Sequence, residues 1–157
     1  MDQAPNTEDL KQLLCFNIYS LNRAFGRYYQ AAFSETGLTY PKFVILMALD
    51  AGGPMSVSAL STRAGVESNT LSPLLKKMAE FGALTRQRAE DDERRVEVAI
   101  TPKGEEMLKR ARNVVEQGFQ ELGLNPKQIT DTIEFLEATH ARVENAEPPK
   151  LSFDGIK

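Results

Sequence analysis

Apolar side chains recur every three or four residues through most of this chain, and every second residue in only one stretch. Leu10, Leu14, Ile18, Leu21, Phe25, Tyr28 and Ala32 form one helical stripe. They predict a long helix from about Glu8 to Glu35, closed by Gly37. Pro41 reads as the first position of a second helix, running through Phe43, Leu46 and Met47 to Leu49. Ala51-Gly52-Gly53-Pro54 is a turn signal. Ser56 is placed to cap a short third helix carrying Val57, Leu60 and Ala64, which Gly65-Val66 breaks. Ser68 reads as the cap of a fourth, with Leu71, Leu74, Leu75 and Met78 on its apolar side. Pro73 lies early enough to be tolerated near the first turn, and Gly82 is a stop.

The period then shortens. Ala83–Arg88 and Val96–Ile100 alternate in the manner of strands, and the polar run Glu90-Asp91-Asp92-Glu93-Arg94 between them reads as a hairpin tip. Thr101-Pro102 opens a long helix with Met107, Leu108, Val114, Val115, Phe119 and Leu122 among its apolar residues. Asn125-Pro126-Lys127-Gln128 opens another, with Gln128 in place for a capping box and Ile129, Ile133, Leu136 and Val143 following. The tail from Pro148 reads as an extended arm. The expected fold is mainly α with a small β-hairpin wing. A winged helix-turn-helix core over 37–101 is flanked by a dimerisation helix over 1–36, helices over 102–146 and a tail over 147–157.

A chain of 157 residues, 41% hydrophobic, has the material for a core. No apolar run reaches the ~20 residues of a membrane span, and the polar, acidic start is no signal peptide, so a cytoplasmic protein without membrane contact is expected. One cysteine, Cys15, and one histidine, His140, far apart in the chain, do not make a metal site, and no cofactor is expected. The net charge of −3 runs against nucleic-acid binding, but its distribution does not. Residues 63–103 carry eight Lys and Arg against seven Asp and Glu, the only positive block of the chain.

That block holds the helix–helix–hairpin order of a DNA-reading unit. The second helix of such a unit presents its first residues to base edges in the major groove. Here these are Ser68, Asn69, Thr70 and Ser72, short side chains able to bond bases or phosphates. Lys76 and Lys77 follow where the flanking backbone would lie. Arg86, Arg88, Arg94 and Arg95 populate the hairpin, and a tip arginine suits the minor groove. Asp92 is placed to orient Arg94 or brace the turn.

Cys15 lies near the start of the first helix, where partial positive charge favours a thiolate. Tyr19 shares its face one turn on. Tyr29 is fourteen residues away, about 21 Å along one straight helix, yet returns to nearly the same face. It could meet Cys15 only from a partner chain running the other way, as in a two-fold dimer. Tyr40, just before Pro41, could join them.

These stretches resemble the MarR family of bacterial regulators over residues 10–122. The likeness rests on Ser68-Asn69-Thr70-Leu71-Ser72-Pro73-Leu74-Leu75-Lys76-Lys77-Met78, on Asp91-Asp92-Glu93-Arg94-Arg95, and on Ile100-Thr101-Pro102-Lys103-Gly104. The resemblance implies a homodimer with intertwined terminal helices, bound to a pseudo-palindromic double-stranded operator. Leu14-Cys15-Phe16, Tyr19, Arg23, Tyr29 and Leu38-Thr39-Tyr40-Pro41 are similar to the one-cysteine organic hydroperoxide regulator branch of that family. That likeness implies Cys15 as the peroxide sensor, with partner tyrosines bonding it and a low-molecular-weight thiol or a backbone nitrogen trapping its sulfenic acid. Oxidation would then release a repressor from DNA. Asn17, Asn22 and Gly26 depart from the branch with polar or small residues.

Three other functions are compatible with parts of the pattern. A small aromatic or phenolic effector could bind between the arms, with Cys15 structural. A cysteine-dependent peroxidase would need an activating group and a resolving partner, but Arg23 and Arg27 lie two or more turns away and there is no second cysteine. A protein-binding winged helix would fit the acidic total, but not the six basic residues of the reading helix and wing.

Overall fold

The computed structural model describes residues 8–88 and 96–150. It contains α1 (Leu14–Ala32), α2 (Tyr40–Gly52), β1 (Met55–Ser56), α3 (Val57–Ala64), α4 (Ser68–Glu80), β2 (Leu84–Arg88), β3 (Val96–Ile100), α5 (Pro102–Glu121) and α6 (Pro126–Glu144). The three strands form one antiparallel sheet in the order β1-β3-β2. This is the expected helical fold with a small β wing. The chain divides into two compact units, one ending at Val114 and the other beginning at Val115.

The first unit has a closed core. Ile45, Leu46 and Leu49 of α2, Leu60 of α3, Leu71 and Leu75 of α4, Leu84, Val98 and Leu108 are all almost fully buried. The caps that frame it are local. Ser56 accepts from the Ala59 N–H, as its position predicts, and Gly65 closes α3 in the left-handed region at φ 62°. Gly82, at φ 81°, ends α4: its N–H reaches the Ala79 carbonyl and the Ala83 N–H the Met78 carbonyl. Thr101 caps α5 by accepting from the Gly104 N–H, while its own hydroxyl donates to the Gly82 carbonyl. Gly104 is buried under that junction, where a Cβ would collide with the Ala83 carbonyl.

Several boundaries differ from the sequence expectation. The first helix does not run from Glu8. Asp9 caps a separate 3-10 turn over Leu10–Gln12, extended Leu13 breaks the chain, and α1 starts at Leu14. The Asn17 side chain holds this break by donating to the Lys11 and Leu13 carbonyls, both at 2.8 Å. The same helix stops at Ala32 rather than Glu35, because Thr36 folds back onto the Phe33 carbonyl. Thr39, not Tyr40, precedes the first residue of α2, so Pro41 occupies its second position. Ser68 is not the cap of α4. Glu67 is, without a side-chain bond, and the Ser68 hydroxyl turns instead to Ser61 of α3. Pro73 lies in the second turn of α4, one residue deeper than a Ser68 cap would place it. Strand β1 was not expected: two residues carry no periodicity, and their pairing comes wholly from β3, with Met55 opposite Val98.

The second unit comprises the end of α5 and α6. The capping box forms as its sequence predicts, with the Gln128 N–H donating to Asn125 Oδ1 and the Asn125 N–H to Gln128 Oε1. No residue of α6 is buried. Leu122, Leu124, Ile133, Phe135, Leu136 and Val143 are exposed. The chain from Ala146 to Lys150 has no regular structure, and the rest of the expected arm lies outside the described residues.

Candidate nucleic-acid interface and cysteine site

Helices α3 and α4 are joined by the tight turn at Gly65, and Ser61 stitches them together. Its hydroxyl donates to the Val66 carbonyl at 2.7 Å and receives the Ser68 hydroxyl at 3.3 Å. Leu71, Leu75 and Met78 anchor the inner face of α4 in the core. That leaves Ser68, Asn69, Thr70 and Ser72 exposed on its first two turns, and Lys76 and Lys77 exposed further along. The Asn69 carboxamide oxygen accepts from the Thr70 N–H at 2.7 Å and the Thr70 hydroxyl at 3.3 Å, leaving its amide nitrogen free to donate outward. Lys76 has Glu80 one turn on, at 4.0 Å, an exposed pair of little weight.

Arg86 and Arg88 lie on β2, opposite Val98 and Val96 of β3, and both are exposed. Leu84, at the start of the strand, is buried and secures its root. Asp92, Arg94 and Arg95 fall outside the described residues. The structure therefore presents one uniform polar, hydrogen-bonding helix start beside a strand carrying two guanidinium groups. Chemically this suits a polyanion whose groove admits a helix.

Cys15 is exposed and occupies the second position of α1. Because α1 begins six residues later than expected, the thiol sits at a true helix start, where the first backbone N–H groups have no partner within the helix. Tyr19, one turn on, is also exposed. Its hydroxyl accepts from Arg23 Nη1 at 3.2 Å, and the guanidinium carbon lies 5.7 Å from its ring centre.

Tyr29 and Tyr40 come together, but not at Cys15 of the same chain. Their rings stack at 4.7 Å. Phe33 stacks on Tyr29 at 5.6 Å, Tyr28 meets it edge-on, and Phe43 packs against Phe33 and Tyr40. Burial raises the Tyr29 hydroxyl above its ordinary pKa, with smaller contributions from the phenols of Tyr40 and Tyr28. This aromatic clasp between α1 and α2 was not anticipated, although the four-residue spacing of Phe25, Tyr29 and Phe33 was its signal. Near the other end of the chain, His140 is exposed and reaches only Glu144, at 3.8 Å. Among the described residues no group of three His, Cys, Asp or Glu could hold a metal ion. Among the same residues, no helix is long and apolar enough to cross a membrane.

Known proteins share this arrangement. The family described as transcriptional regulator SarA/Rot matches residues 27–111, from the end of α1 through the first half of α5. The HTH-type transcriptional regulator SarZ of Staphylococcus saprophyticus subsp. saprophyticus is 32% identical over 137 residues, covering 87% of this chain and 92% of its own. Among solved structures, the transcriptional regulator BldR from Sulfolobus solfataricus superposes with a TM-score of 0.76 at 26% identity, covering 87% of this chain and 99% of its own. The overoxidized AbfR bound to DNA, a protein of Staphylococcus epidermidis, superposes with a TM-score of 0.69 at 25% identity, covering 83% and 91%. The exposed helix start, the stranded wing and these likenesses agree: the chain belongs to the SarA/Rot family of transcriptional regulators and is a DNA-binding regulator of the MarR-like winged-helix type.

Proposed function

We propose that this regulator is a cytoplasmic homodimeric repressor that leaves a pseudo-palindromic operator when Cys15 is oxidised. The observation that carries this reading is the exposed thiol in the first turn of α1, with exposed Tyr19 one turn on. A hydroperoxide attacked by the thiolate transfers a hydroxyl to sulfur as its O–O bond breaks, and the leaving alkoxide takes a proton to become an alcohol. The resulting sulfenic acid condenses with a small thiol, forming an S–S bond and releasing water. With no second cysteine in the chain to resolve it, we read this as a signalling event and not as enzymatic turnover.

In this reading the partner chain brings Tyr29 and Tyr40, already stacked as a unit, to Cys15. The exposed apolar residues of the two ends support a dimer: Leu10, Leu14, Ile18 and Leu21 in one unit, Ile133, Phe135, Leu136 and Val143 in the other. Such stripes are costly in water and are what a second copy would cover. Ser68, Asn69, Thr70 and Ser72 read the major groove, and Lys76 and Lys77 hold the flanking phosphates. Arg86 and Arg88, with Asp92, Arg94 and Arg95, serve the wing. AbfR has been solved on DNA both reduced and overoxidized. We therefore assign release in this chain to the sulfenic acid or its thiol adduct, not to further oxidation.

A paired mobility-shift assay on the operator fragment tests this. An alkyl hydroperoxide, with a small thiol present, abolishes binding by wild type and spares Cys15→Ser. Equal responses of the two proteins rule the redox reading out, and loss of binding on an aromatic effector in Cys15→Ser would replace it. Binding should also fall steeply with salt, because phosphate contacts release counterions.

A further inference from the structure

We propose that Lys103 is a positioning residue for DNA reading: it fastens the C-terminal end of α4 to the start of α5, so that the tilt of the reading helix follows α5. The role rests on α4 being the reading helix, as proposed above, and is independent of Cys15. A helix leaves its last carbonyls without partners of its own. Where the chain leaves α4, the successive carbonyls of Phe81, Gly82 and Ala83 are all met from the start of α5. Lys103 Nζ donates to the Phe81 carbonyl at 2.6 Å, the Thr101 hydroxyl to the Gly82 carbonyl at 2.7 Å, and the Thr101 N–H to the Ala83 carbonyl at 3.2 Å. Gly104 permits this approach, because a Cβ there would collide with the Ala83 carbonyl.

Of these bonds, the one from Lys103 carries a charge and serves no core packing. Phe81 caps α4 with its ring 53% exposed, and Lys103 is exposed as well. The ammonium lies 3.7 Å from the centre of that ring while bonding the carbonyl of the same residue, so it grips Phe81 at two points. A charged donor makes the stronger kind of hydrogen bond, and a cation is favoured by the partial negative charge at a helix C-terminus. Arg112 of α5 also ties to the first unit, at 2.8 Å, but to Asp50 of α2 and not to the reading helix. Attraction to phosphates tolerates a change of tilt, whereas hydrogen bonds to base edges do not. Loosening the grip on Phe81 therefore costs sequence-specific binding and spares the rest.

The test titrates full-length wild type, Lys103→Met, Lys103→Arg, Arg112→Gln and Asn69→Ala onto two DNAs: a duplex selected by the wild type from a random library, and poly(dI-dC). Lys103→Met keeps the side-chain stem but removes the charge and the donor. It should lose about tenfold on the selected duplex, stay within about twofold on poly(dI-dC) and keep the wild-type salt dependence. Lys103→Arg, which restores a cation and a donor, should recover the loss, and Arg112→Gln should leave both affinities unchanged. Five results overturn the proposal: no loss by Lys103→Met on the selected duplex, an equal loss on both DNAs, a salt slope shallower by about 0.9, which would make Lys103 a phosphate ligand, no recovery by Lys103→Arg, or an equal loss by Arg112→Gln. Asn69→Ala separates the two levels. If it retains full affinity for the selected duplex, the reading role of α4 fails and the proposal with it; if it loses affinity and Lys103→Met does not, the proposal alone fails.

Discussion

Helices α4 and α6 carry apolar stripes of the same kind, and they meet opposite fates. In α4, Leu71, Leu75 and Met78 are buried under α3 and the sheet. In α6, Ile133, Phe135, Leu136 and Val143 stand in solvent, and no residue of the helix is buried. Periodicity alone says that a helix has an apolar face; it does not say whether that face is covered by the same chain. α1 shows both outcomes within one helix. Leu14, Ile18 and Leu21 of its first half are exposed, whereas Tyr29 and the adjoining Phe33 are buried against α2. Under the dimer reading proposed above, the contrast separates two tasks: presenting a reading helix, which needs a closed core, and pairing with a second copy, which needs a face left open.

The strongest way to break this comparison is to charge the open face. Phe135→Asp with Leu136→Asp should weaken self-association about a thousandfold, on the basis of about 2 kcal/mol for each central contact. Sedimentation read against protein concentration checks this, and an unchanged association constant would place the interface elsewhere. The matching change in the closed core is Leu75→Ala. It should cost about 2–5 kcal/mol of folding stability in urea titration, with the loss tracing to the first unit and not to self-association.

A smaller effect sharpens the second unit. Asn125→Ala removes the Oδ1 acceptor of the capping box, while the residue 125 N–H can still donate to Gln128, and should cost about 1 kcal/mol, seen as fraying of the first turn of α6 by amide exchange. The smallest concerns the aromatic clasp. Burial raises the folded-state pKa of Tyr29 above its ordinary value of 10.0. The stability it contributes is therefore fully present below pH 10 and is lost as pH climbs through the raised value. Tyr29→Phe should flatten that alkaline limb in thermal melts across the range, and an unaltered limb would show that Tyr29 does not titrate there.

Most of the caps and turns were legible because their signals are local. Ser56, Gly65, Gly82, Thr101 and the pair Asn125 and Gln128 each act on backbone groups within a few residues. Their roles follow from spacing, and the structure agrees on each. Where local reading failed, a longer contact had intervened. Ser68 has the chemistry of a cap, but Ser61 of the preceding helix takes its hydroxyl. The stripe beginning at Leu10 looked continuous, but Asn17 reaches back six residues to hold a break in it.

The candidate cysteine site divides the same way. Cys15 and Tyr19 were readable as neighbours one turn apart, and so was the conclusion that a single straight helix keeps Tyr29 about 21 Å away. That Tyr29 stacks on Tyr40 and is buried among Phe33 and Phe43 was not readable, because it depends on how α2 packs against α1.

By itself the sequence determined the helical class, the strands of the wing, the caps of α3, α5 and α6 and the polar residues at the start of α4. Each of these is set by backbone hydrogen bonding and side-chain periodicity over one or two turns. Only the tertiary structure decided which apolar faces close and where the aromatic clasp forms. Only it decided, too, that Lys42 of α2 and Lys77 of α4 edge one cleft with Met107 of α5. Burial is a property of the neighbours a face finds, and those neighbours are many residues away in the chain.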